Sequence, residues 1–108
     1  MSDTLLMHFI KGEHSMSYQD YINMALDDNG ELKVILKGEI SQENNQKIGV
    51  VSIVFITKDV NNAKAMLDKL NKTKNKDDYY MLYSCPLDTE LTALPHYPSL
   101  EISKEDLI

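Results

Sequence analysis

Apolar residues recur along the chain in short blocks, and the spacing within a block switches between strand-like and helix-like. Thr4–Ile10 (TLLMHFI) is a nearly continuous apolar run closed by Lys11-Gly12, which predicts a strand by its length. Over residues 15–28, Tyr18, Tyr21, Ile22, Ala25 and Leu26 share one helical stripe. Ser17 followed by Asp20 resembles a capping box, and Asn29-Gly30 offers a left-handed stop. Ile22, Met24 and Leu26 also alternate, and Asp28-Asn29-Gly30 is a good hairpin turn, so a strand competes over residues 17–27. The helix is preferred, because Gln, Met, Ala and Leu are good helix formers and the cap signals agree with it.

Glu31–Ile40 alternates cleanly, with Leu32, Val34 and Leu36 on one side and Lys33, Ile35 and Lys37 on the other. Ser41–Lys47 is polar throughout and reads as a turn around Asn44-Asn45. Ile48–Thr57 is rich in β-branched residues and apolar on both faces, a second strand. Asp59 then caps a helix striped by Val60, Ala63, Met66, Leu67 and Leu70. Asn71–Asp78 reads as loop, and Tyr79–Cys85 as a strand stopped by Pro86.

This order predicts an α+β fold: a four-stranded, mainly antiparallel sheet with two helices on one face, the βαββαβ or ferredoxin-like arrangement, plus an irregular C-terminal tail. In that topology the first and third strands are central. The strand bearing Lys33 and Lys37 would be an edge, where Lys commonly blocks further pairing. If residues 17–27 were a strand, the alternative would be an antiparallel sheet packed on the single helix 60–70. Either way the chain reads as one domain, 1–108, with a core over 4–85 and a tail over 86–108 that packs on the core or on a dimer partner. Pro95 and Pro98 forbid a long helix in the tail, Leu100 and Ile102 suit a short strand, and Ser103 with Asp106 could cap a final turn.

Charge narrows the function classes. The chain carries 11 Lys, no Arg and 17 acidic residues, a formal net charge of −6. Its one basic cluster (Lys69, Lys72, Lys74, Lys76) interleaves with Asn and Thr and runs into Asp77-Asp78, which suits a solvated loop better than a phosphate-binding stripe. Nucleic acid is therefore not an expected partner. The longest apolar run, Gly49–Ile56, is far shorter than the ~18 residues of a membrane span, so no membrane role is expected. The N-terminus lacks a basic region before its apolar stretch, and a single Cys provides no disulfide framework. These features suggest a soluble, cytoplasmic protein.

Candidate chemistry is sparse. Cys85 precedes Pro86, with His96 eleven residues on, but neighbouring Asp88 and Glu90 would raise a thiol pKa, so a small buried hydrophobe is the better reading. His8, His14 and His96 lack metal-ligand spacing, and no cofactor is indicated. Six tyrosines are many for this length, and adjacent Tyr79 and Tyr80 must face opposite sides of a strand. His8, Tyr79, Tyr83, Cys85, His96 and Tyr97 are thus candidates for a ligand pocket or an interface, with no catalytic residue and no metal ligand assigned. Two helices cover one sheet face, so a second apolar row needs a lid from the tail or a second copy. The expected function is a non-enzymatic binding or regulatory module acting as a homodimer. The alternative is a small enzyme of the dimeric α+β-barrel type with a Tyr- and His-lined pocket.

Overall fold

The computed structural model describes residues 17–27, 31–95 and 97–107. The strand expected over Thr4–Ile10, the Asn29-Gly30 turn, and His8, His14 and His96 lie outside these residues.

Helix α1 spans Tyr18–Asp27, which settles the helix-or-strand ambiguity and removes the single-helix alternative. Its start is a reciprocal capping box: the Asp20 backbone N–H donates to Ser17 Oγ (3.2 Å), and Asp20 Oδ2 accepts from the Ser17 N–H (3.0 Å). Tyr21, Ile22 and Ala25 form its buried face. Strands β1 (Leu32–Glu43) and β2 (Gln46–Thr57) follow as one long hairpin. The polar stretch 41–47, expected to be a turn, is mostly strand, and the chain reverses over two residues. Asn44 (φ 49°) and Asn45 (φ 65°) both adopt left-handed backbone, the conformation a two-residue hairpin loop demands and Asn tolerates. Pairing runs from Glu43↔Gln46 to Lys33↔Thr57, with one irregularity: Ile35 faces Phe55 but Leu36 faces Ile53, so Val54 is an extra residue, a β-bulge.

Helix α2 (Val60–Thr73) begins where Asp59 Oδ1 accepts the Asn62 N–H at 2.9 Å. It buries Ala63 and Leu67 and runs past the expected loop boundary at Asn71. Strand β3 (Tyr79–Cys85) completes a three-stranded antiparallel sheet of order β2-β1-β3. The tail contains two short 3₁₀ turns, Leu91–Ala93 and Lys104–Leu107. Before the second, Asp106 Oδ2 accepts the Ser103 N–H at 2.9 Å. The expected strand at Leu100–Ile102 is absent; the segment is irregular.

The described order is αββαβ, and the sheet corrects the expected strand positions. The strand bearing Lys33 and Lys37 is central, hydrogen-bonded on both sides. Lys33 does not guard an edge: it is 2% exposed, and its Nζ donates to the Ala25 carbonyl and to Ser84 Oγ, each at 2.9 Å. β2, read as central because it is apolar on both faces, is the outermost strand of the described sheet.

Register sorts the two faces. Lys33, Ile35 and Lys37 lie with Ser84, Leu82 and Tyr80 on one, and Val34, Leu36 and Gly38 with Tyr83, Met81 and Tyr79 on the other. Lys33 ties the first face to α1; α1 also reaches the second face, where Tyr18 packs on Tyr79, and Leu67 of α2 shares a crevice with Ile22 and Leu26 of α1. The tail lies against the second face. Tyr83 Oη donates to the Ser99 carbonyl at 2.6 Å, Leu100 and Ile102 pack on the core, and Ile102 sits so close over Gly49 that a Cβ there would come within 2.7 Å of it.

Candidate functional site

The described candidate residues gather at β3, but most serve packing. Tyr79 is buried and its ring meets that of Tyr18 edge-on, 5.5 Å between centroids and 64° between planes. Its Oη is buried and finds no hydrogen-bond partner among the described residues. Tyr18 Oη donates to the Tyr80 carbonyl at 2.8 Å and accepts from Asn71 Nδ2 at 3.3 Å, stitching α1 to β3 and α2. Burial pushes the Tyr79 phenol far up. It also raises Tyr83, partly offset by the bond to Ser99, and Tyr18, partly offset by Asn71. These phenols stay neutral at physiological pH.

Cys85 is buried at the end of β3. Burial raises its thiol, and the nearby Lys33 cation only partly opposes that. A thiol held above its ordinary value is largely protonated at neutral pH and a poor nucleophile, which fits the reading of Cys85 as a small hydrophobe. Tyr97 is 45% exposed. His8 and His96 cannot be placed against these groups, since both lie outside the described residues.

A cleft of about 440 Å³ opens between α1, β3 and the tail, lined mainly by Tyr21, Met24, Leu82, Tyr83, Leu94 and Pro95. Two of the polar groups at the cleft are engaged in structural bonds: Ser84 Oγ accepts from Lys33, and Tyr83 Oη donates to Ser99. Among the described residues no cluster of three His, Cys, Asp or Glu could hold a metal, and no helix is long and apolar enough to cross a membrane.

The feature that packing does not explain is β2. Ile48, Val50, Val51, Ile53, Val54 and Ile56 are all substantially exposed, reaching 61% at Ile53 and 53% at Ile56. Register puts Val51, Ile53 and Ile56 on the tail-bearing face and Ile48 and Val50 on the Lys33 face, so the strand is wet on both sides. Its outer edge has no pairing strand among the described residues. None of these residues was a sequence-level candidate. The signal was present nonetheless: ten residues, Ile48–Thr57, without a charge or a proline, too aliphatic for an unprotected edge. Reading the strand as central concealed it. No family model, curated protein or solved structure matches the chain.

Proposed function

We propose that the protein is a small, cytoplasmic, non-enzymatic binding or regulatory module that acts as a homodimer, with β2 as its contact surface. A fourth strand over residues 4–10 belongs to the same reading. The observation that carries it is the exposure of six large aliphatic residues on one outer strand. Contiguous apolar surface of this kind marks interaction sites in soluble proteins, and two-fold homodimers are the commonest assemblies that cover it. The cleft beside β3 supports an enzyme less well, because its Tyr83 and Ser84 hydroxyls are committed to structural bonds and Cys85 is held as a thiol.

The test is size-exclusion chromatography with light scattering on the full chain at micromolar concentration. A mass near twice the 12.3 kDa of one chain is expected. A clean monomer across the accessible concentration range contradicts the proposal.

A further inference from the structure

We infer that residues 99–107 form a strap that opens while the sheet stays folded, and that its docking sets how much of the aliphatic face of β2 is accessible. The opening stands by itself; its bearing on assembly rests on the homodimer reading.

The strap crosses the tail-bearing face from β3 to the end of the hairpin. At β3, Tyr83 Oη donates to the Ser99 carbonyl at 2.6 Å. Over β2, Ile102 fills the space that Gly49 leaves for want of a side chain, closely enough to exclude a Cβ. At the hairpin's end, Leu107 shares a crevice with Gln46 and Lys47.

Its hold is weaker than that of the sheet beneath. β1 is hydrogen-bonded to a neighbour on each side, whereas residues 99–107 form no strand. Leu100 and Ile102 pack on the core but are only half-buried, and the closing turn Lys104–Leu107 contains no buried residue. Asp106 Oδ1 in that turn is shut off from water with no hydrogen-bond partner among the described residues, an acceptor whose desolvation opposes the docked state. Segments with few buried apolar contacts open at lower free energy than the core they lie on.

Opening matters because of what lies alongside. Gly49, Val51 and Ile53 share the tail-bearing face of β2, and Val51 and Ile53 already meet water. With the strap away, the ground beneath Ile102 joins them in one longer apolar strip. The docked strap thus shortens the surface through which copies would associate.

The test follows two δ1 methyl groups by NMR through a urea titration of the full chain: that of Ile102 in the strap and that of Ile35, fully buried in β1. Two protein concentrations are used. Ile102 should lose its folded shift at urea concentrations where Ile35 keeps it, and its midpoint should not rise with protein concentration. Tyr83→Phe, which removes the bond to Ser99, should lower the Ile102 midpoint more than the Ile35 midpoint. Ile102→Ser should keep the Ile35 signal and, by light scattering, tighten self-association about fivefold or more, as expected when fewer than about one molecule in five is open at rest. If Ile102→Ser does not fold, Tyr83→Phe carries the association measurement. A single transition shared by both methyl groups, or an Ile102 midpoint that rises with protein concentration as dimer dissociation would make it, overturns the strap. Separate transitions with association unmoved by either variant overturn its control of assembly and leave the homodimer reading standing. Separate transitions in a chain that stays monomeric in every variant overturn the homodimer reading and leave the strap.

Discussion

Lys33 shows how far a single side chain can depart from its usual place. Its ammonium lies inside the protein because the Ala25 carbonyl and Ser84 hydroxyl replace water around it, and its methylene stem fills the space between α1 and the sheet. Lys33→Ala removes both stem and bonds and should cost about 2–4 kcal/mol, read as a lower urea midpoint. Lys33→Met keeps the stem and should cost less than half as much; equal losses would show that packing by the stem contributes nothing. The buried phenols make a second prediction. Burial raises Tyr18, Tyr79 and Tyr83 above their ordinary value of 10.0, so the folded state holds their protons more tightly than the unfolded chain. Their contribution is complete below pH 10 and is lost as pH climbs beyond it. Thermal midpoints should fall above pH 10, with these phenolates developing their absorbance only as the chain unfolds. Tyr79→Phe should soften that fall. At pH 7 it should be neutral or stabilising by up to ~1 kcal/mol, because the hydroxyl lost has no partner among the described residues. A clear destabilisation would place a partner for Oη outside them.

At the scale of elements, the contact between the tail and β2 is the most exposed to test. Gly49→Ala puts a methyl 2.7 Å from Ile102 and should cost about 1–3 kcal/mol, with Ile102→Ala relieving part of the loss in the double variant. Additive effects would mean that the tail does not lie on β2. Local signals were legible in the sequence here. The Ser17–Asp20 box, the Asp59 cap, the helical stripes and the stop at Pro86 each depend on residues a few positions apart, and each element they mark is present. Strand order was not legible, because it depends on partners distant in sequence. Lys33 looked like an edge guard since nothing nearby reveals a hydroxyl at Ser84, fifty-one residues on. The polar stretch 41–47 looked like loop because a hairpin arm that projects beyond the core has no apolar face to alternate.

For the whole molecule, the described sheet packs against two helices and the tail, while its longest apolar strand stands at the rim. Tyr79, Tyr83 and Cys85, which drew attention in the sequence, lie inside; the exposed aliphatic surface, where we propose that a partner binds, lies on β2. Sedimentation equilibrium of the native chain beside Ile53→Lys tests this most directly. A reversible monomer–dimer equilibrium in the native chain, with the substituted chain folded and sedimenting as 12.3 kDa, is the predicted result. A native chain that sediments as a monomer at every concentration, indistinguishable from Ile53→Lys, would contradict it.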